Sequence, residues 1–410
     1  MVLPFASPAV SERARPLWWA CAAVFACMPP AMAFAHRSAP LFVTLATVLA
    51  LLACAREGSL PALAGEAKAS LRTPLGAAAL VFLLYAALSV VWSPARGKSL
   101  YAYGELILPL GASFVLALTL PERAPRWLWL LLGLFAVGAT LVLLIDLSLG
   151  LPVRRAMRWR MNTFVYNRPA LTLLVMAPPL ITALAMQGRR WLGLIVAFFL
   201  AAAIFQSESG AAKLGLLVAL GAYTVARWRR AAALAIATAA VVAAVALAPV
   251  TGQIMRRAMP AAAHQALAAS SSQTRVDVWR SFGAAVREQP WLGAGFSPGP
   301  AFTNSPGAAA IDSAYQFFLK AGHPHNGALQ IWSELGAIGA FLALLVLCLI
   351  LRGLSGLPPA TFAAAVATMA AATAASLVGH GLWQGWWPAA IGAAIVCVLM
   401  LRRLEEEKSA

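Results

Sequence analysis

Residues 328–351 read ALQIWSELGAIGAFLALLVLCLIL, a run with one charged side chain, Glu334. About 20 consecutive apolar residues in a helix cross the hydrocarbon of a bilayer, and in that medium an unpartnered segment satisfies its own N–H and C=O groups only by coiling. The run therefore predicts a transmembrane helix. Eleven further apolar windows flank it, at 17–35, 40–55, 74–93, 102–120, 127–149, 170–187, 191–206, 212–226, 231–249, 358–379 and 385–401. The pattern predicts an all-α polytopic membrane protein with about 12 transmembrane helices. Composition points the same way. Of 410 residues, 61% are hydrophobic and 11% charged, against ~25% charged in a soluble domain, which excludes a soluble globular fold.

Lys and Arg number 31 against 14 Asp and Glu, a net charge of +17. In a soluble chain such an excess points to nucleic acid. Among membrane helices the matching anions are lipid headgroups and phosphorylated lipids, so membrane lipids are expected partners and nucleic acid is not. The 5 cysteines lie in apolar runs and read as small packing residues, with no disulfide framework or metal site. An even number of spans puts both termini on one side, which the basic short turns assign to the cytoplasm. The expected layout is spans 1–9 in residues 1–249, one large outer loop with amphipathic helices in 250–326, and spans 10–12 with a short tail in 327–410. Tryptophans near span ends, including Trp18, Trp386 and Trp387, read as interfacial anchors.

This orientation leaves an outer side rich in basic residues, against the usual preference. Arg154, Arg155, Arg158, Arg160 and Arg168 crowd one connection. Arg154 and Arg158 sharing a helical face would repel, so an anion should offset them. Lipid headgroups are one source; a diphosphate suits the bidentate, permanently charged guanidinium. Asn167-Arg168 opens one span, and Lys213 follows Ser207-Glu208-Ser209-Gly210 at another junction, where a Glu208–Lys213 pair is the structural alternative. Charges at membrane depth are functional candidates by default. Glu105 and Asp146 belong to that class without an assignable role.

The polar segment 250–326 has Val276, Trp279, Phe282 and Val286 at helical spacing, which predicts an amphipathic helix on the membrane surface. Arg275 sits in it, either as a functional cation or as a snorkelling interfacial arginine. After a Gly- and Pro-rich loop, a second helical piece near Asp312–Lys320 leads to His323-Pro324-His325-Asn326. A neutral imidazole, with a pKa near ~6.5, accepts a proton from a hydroxyl at neutral pH. The competing reading is a packing histidine with Asn326 as N-cap. No outer loop carries Asp-x-Asp or Glu-x-Asp, so neither a metal-bridged diphosphate nor any other metal or cofactor is expected.

Together these residues resemble the O-antigen ligase and polymerase superfamily of bacterial inner membranes. The matching pieces are Asn167-Arg168, Ser207-Glu208-Ser209-Gly210, Arg275 with Trp279, Pro290-Trp291-Leu292-Gly293-Ala294-Gly295-Phe296, and His325-Asn326 followed by Leu329, Gln330, Glu334, Gly336 and Gly339. The resemblance implies a GT-C-like fold in the inner membrane and a metal-independent, inverting glycosyltransferase facing the periplasm. The implied donor is O-antigen on undecaprenyl diphosphate. Ligases use a sugar of the lipid A-core oligosaccharide as acceptor, polymerases another lipid-linked glycan, and related oligosaccharyltransferases a protein Ser. A single large outer loop and the short tail favour the ligase. The implied roles are His325 and Arg275 in catalysis, and Arg154, Arg155, Arg158, Arg168, Lys213 and Arg275 on the diphosphate. Asn326, Glu334, Trp279 and Asn167 would support them. A transporter with the same charged mouth is the alternative class; it would leave its substrate covalently unchanged.

Overall fold

A computed structural model of the chain describes residues 11–260, 262, 265 and 272–409. Among these residues every regular element is helical. Nine helices are long and apolar enough to cross a membrane: Arg15–Phe34, Ala39–Glu57, Pro74–Trp92, Arg96–Thr119, Trp127–Leu149, Thr163–Met186, Gly327–Leu354, Pro359–Val378 and Trp386–Ser409. A bent pair, Arg230–Ala246 with Ala248–Ala258, turns through 58° and makes ten if it crosses as one span. The chain is thus an all-α polytopic membrane protein. The twelve apolar windows are all helical, and the difference from nine lies in three weaker elements. These are the bent pair, the 17-residue helix Arg190–Gln206, and Gly210–Trp228, which is diluted by Gly, Ala and two basic residues.

Small side chains bring the helices together, as in other membrane bundles. Gly215 lies against Leu174 and the backbone of Ala371, which seats the 210–228 helix on the 359–378 helix. The five cysteines are unpaired and buried or half-buried. At one end of the bundle, carboxylates and cations match. Glu57 accepts from Trp18 Nε1 at 2.8 Å and pairs with Arg123 at 3.3 Å. Arg403 pairs with Glu122, and Glu405 accepts from the backbone N–H groups of Ala360 and Thr361, capping the 359–378 helix. Trp18 is therefore 1% exposed, and Trp386 and Trp387 are also buried. The expectation of interfacial anchors fails for these three, because each indole N–H has a protein partner. The connection after Glu57 is itself a helix, Leu60–Leu71.

At the other end, the segment from 250 folds into a helical lid. Its main helix, Ser272–Glu288, buries Val276, Trp279, Phe282 and Val286. They cluster with Phe302, Leu319, Ala328 and Leu329, so the apolar face meets protein and not the membrane surface, which corrects the sequence expectation. Gly252 and Gly283 have no room for a Cβ against Arg280 and the Pro249 carbonyl, so the 251–258 helix packs backbone-close to this one. Asp312 caps Ser313–Leu319 by accepting from Ala314 N at 3.0 Å.

The 327–354 helix is broken at Gly336, with φ 65° and ψ −165°. The Pro290–Phe296 loop fills the break with main-chain hydrogen bonds: Ala294 N to Ser333 O at 2.9 Å, Gly295 N to Glu334 O at 2.8 Å and Ala337 N to Pro290 O at 2.8 Å. The carbonyl of Leu335 is taken by Tyr85 Oη at 3.0 Å. Any Cβ at Gly336 would overlap the Trp291 carbonyl, on a left-handed φ. Gly336→Ala is expected to cost at least about 1–3 kcal/mol in backbone strain, read as a lower melting temperature in detergent. Gly353→Ala, in the same helix with open space around it, should be neutral or stabilising by about 0.5–1 kcal/mol.

Candidate active site at the lid end of the bundle

The turn before the 327–354 helix presents His325. Asn326 is the N-cap, its Oδ1 accepting from Leu329 N at 3.0 Å, and His325 takes a left-handed φ of 53°. That conformation is uncommon outside glycine and is held from three sides. The His325 backbone N–H donates to His323 Nδ1 at 3.3 Å, the Pro324 carbonyl accepts from Trp279 Nε1 at 2.9 Å, and His325 Nδ1 meets the Gly379 carbonyl at 3.1 Å. A carbonyl only accepts, so Nδ1 carries the proton in that bond and the lone pair of the neutral ring lies on Nε2. Arg275, from the lid helix, donates to the Val378 carbonyl. The last carbonyls of the 359–378 helix, which lack intrahelical partners, thus fix both the lid and the histidine.

Burial holds the His325 imidazole below its ordinary range; the Gly379 bond opposes this and Arg275 adds to it. Burial likewise draws the Arg275 guanidinium down. A lowered His pKa means that the ring stays neutral as pH falls through ~6.5 and protonates only at lower pH. If His325 acts as a base, kcat/KM should stay level from neutral pH down through that value and fall further on the acid side. An acid limb centred at or above pH ~6.5 would show a different titrating group.

Arg168, in the first turn of Asn167–Met186, is 8% exposed, and its guanidinium lies 5.9 Å from the Trp386 ring centroid. Its Nε and the Asn167 Oδ1 are buried without hydrogen-bond partners. Arg154 is 5% exposed, donates from Nε to the Arg160 carbonyl at 2.7 Å, and lies over Trp159 and Tyr166. Asp146 is structural here: its carboxylate accepts from Val153 N at 2.6 Å, Arg154 N at 3.3 Å and the Tyr166 hydroxyl. The short helix Pro152–Ala156 ends before Arg158, which has φ 54° and is exposed. Arg154 and Arg158 therefore do not share a helical face, contrary to the spacing argument. Arg155 is exposed, on the Gly150 carbonyl at 3.2 Å. Lys213 lies in the first turn after the Ser209 cap, half-buried. Glu208 accepts from Thr163 Oγ1 at 2.6 Å and forms no ion pair with Lys213, which removes that alternative.

Glu334 is 1% exposed and accepts from Ser297 N at 2.7 Å, Trp383 Nε1 at 2.6 Å and Gln330 Nε2 at 2.8 Å. Gln330 Oε1 in turn accepts from Leu382 N at 2.9 Å. This hub joins the broken helix, the glycine-rich loop and the 379–385 connection that carries the Gly379 carbonyl.

Sequence reasoning gave no role to three groups here. Lys98 stands against Gly299 and acts electrostatically on His323, whose ring burial holds down to about 3. His36 is pushed down to about 4 by burial and then by Arg168, Arg37 and Arg154, so the 35–38 turn faces the arginine cluster. His380 is pushed down to about 4 by burial and then by Arg168, His325 and Arg275. Lys98 lies in the first turn of the Arg96–Thr119 helix, whereas His36 and His380 each lie in a turn of a few residues between apolar runs, marked only by the isolated polar side chain. Arg37, Lys98, Arg154, Arg168, Lys213 and Arg275 pair with no carboxylate among the described residues, whereas the opposite end of the bundle is laced with ion pairs. The site is positive, buried at Arg154 and Arg168, and unmatched by carboxylates among the described residues.

Residues 195–344 match the family model described as O-antigen ligase. That segment holds Arg275, the Pro290–Phe296 loop, His325 and Glu334; Arg154, Arg168 and His380 lie outside it. No curated protein matches the chain.

Proposed function

Through residues 195–344 the chain belongs to the O-antigen ligase/polymerase superfamily, and we propose that it transfers O-antigen from undecaprenyl diphosphate to a sugar hydroxyl of the lipid A-core oligosaccharide. The reaction runs at the periplasmic face of the bacterial inner membrane. One observation carries the reading: Arg275, without a carboxylate partner among the described residues, acts on an imidazole whose Nδ1 is committed to a carbonyl, leaving Nε2 to take a proton, and Arg168 reaches the adjoining His380.

In the proposed step the acceptor oxygen attacks C1 of the donor glycan, and its proton passes to His325 Nε2. The bond from C1 to the diphosphate oxygen breaks, and its electron pair leaves with undecaprenyl diphosphate. Arg168 and Arg275 neutralise the charge that develops there, in a low-dielectric site where a fixed cation acts strongly. Arg154 and Lys213 extend this field, while the exposed Arg155 and Arg158 meet phosphates at the rim. Asn326, Trp279 and Glu334 hold the histidine turn and Asn167 starts the helix that bears Arg168. No metal or cofactor enters the step. A single attack inverts the anomeric centre.

The test is reconstitution in liposomes with EDTA, lipid-linked O-antigen and rough lipopolysaccharide, read by gel. A ladder on the lipopolysaccharide is expected. Lengthening of the lipid-linked glycan alone identifies a polymerase, and unchanged covalent structure throughout identifies a transporter.

A further inference from the structure

The 379–385 connection carries a ring that the step above leaves unused. His380 stands edge-on to Trp386, with ring centroids 5.3 Å apart and planes at 86°. The Arg168 guanidinium lies 5.9 Å from the centroid of that same indole. His380 Nδ1 is buried with no hydrogen-bond partner. Nε2 has no partner among the described residues either, but it is not sealed: the side chain is half-buried and opens on that edge.

A neutral imidazole has one N–H and one lone pair. Orphaned N–H groups are rarer in dry sites than under-satisfied acceptors, so the lone pair belongs on the sealed Nδ1 and the proton on Nε2. The accessible edge then presents a hydrogen-bond donor for which no described residue supplies an acceptor. The charged or titratable groups acting on it are Arg168, His325 and Arg275, with no carboxylate among them. An oxygen arriving at that edge is favoured by negative charge.

We propose that His380 Nε2–H binds a phosphate oxygen of a polyprenyl diphosphate beside Arg168, so that the site uses two histidines in different roles. His380 grips the leaving group and His325 serves the acceptor. The identity of the diphosphate lipid rests on the glycan-transfer reading; the donor geometry of His380 does not. Neutrality suits this role, because a second cation packed beside Arg168 would repel it, whereas an N–H adds a hydrogen bond at no such cost.

The test titrates undecaprenyl diphosphate, without glycan, into the full chain in nanodiscs. His380→Phe keeps a ring on Trp386 and removes both nitrogens. It is expected to bind about tenfold to a hundredfold more weakly, as a lost hydrogen bond to a charged group implies, while the unliganded melting temperature is unchanged or higher because a sealed orphan atom is gone. His380→Gln, whose amide nitrogen reaches the Nε2 position, should recover most of the affinity; His380→Asn, which reaches only the Nδ1 position, should not. Wild-type affinity in His380→Phe, or Gln binding no better than Asn, overturns the proposal, and the Gln–Asn comparison decides even if the Phe variant melts lower. A wild-type protein that does not bind undecaprenyl diphosphate removes the donor reading as a whole, which is a distinct outcome.

Discussion

His325→Asn should abolish transfer while leaving the donor bound. Asparagine tolerates the left-handed backbone that His325 adopts at φ 53° better than most residues, and its amide nitrogen stands where Nδ1 donates to the Gly379 carbonyl at 3.1 Å. The substitution therefore keeps the turn and its anchor and deletes Nε2. Loss of a positioned general base typically lowers the rate by about 10²–10⁴-fold. Single-turnover transfer should fall by that factor, with undecaprenyl diphosphate affinity within a few-fold of wild type because the arginines are untouched. Near-normal transfer in His325→Asn would show that Nε2 takes no proton. His325→Ala is a weaker test, since it also loses the carbonyl anchor.

Arg168→Leu should separate stability from activity. A buried guanidinium whose Nε lacks a partner is held in the folded protein against its desolvation cost, and replacing such a charge with an apolar side chain is often neutral or stabilising. The unliganded melting temperature should hold or rise. Removing one preorganised charge-stabilising group typically costs about 10²–10³ in rate, and transfer should fall by that much with weaker donor binding. Arg168→Lys should not restore it, because an ammonium lacks the planar fork that meets two phosphate oxygens at once. The same substitution at Arg275 is less clean: Arg275 also ties the lid to the Val378 carbonyl, so its loss loosens the lid as well. A stable Arg168→Leu protein with full activity would exclude this cation from the reaction.

The membrane helices could be read from the sequence because apolar runs of about 20 residues are a local property. The Asn326 cap and the helix at 313–319 were local too, set by Asn and Asp side chains at helix starts. What the chain did not declare was which surface covers which. The face of Val276, Trp279 and Phe282 satisfies a membrane surface as well as a protein core by periodicity alone, and only the return of Phe302 and Leu329 onto it decides between them. Arg154 and Arg158 sit at helical spacing, but their helix ends at Ala156 and Arg158 takes a left-handed φ of 54°, while Asp146 from the preceding span holds only the start of that helix. His36 and His380 join the site across more than a hundred residues of sequence, through turns too short to carry a pattern. Trp386, read as an anchor, lies beneath Arg168 because an indole at a span end serves a buried cation as readily as a lipid headgroup.

The anomeric configuration of the new glycosidic bond, read by NMR on product made by the reconstituted chain in EDTA, bears on every part of this mechanism at once. Direct attack by an acceptor activated at His325, with the diphosphate leaving among the arginines, yields a linkage inverted relative to the lipid-linked donor, formed without metal. A retained configuration would require a covalent glycosyl intermediate, and dependence on added metal would require another source of charge stabilisation. Either would be incompatible with a neutral histidine and unpaired arginines as the reacting set.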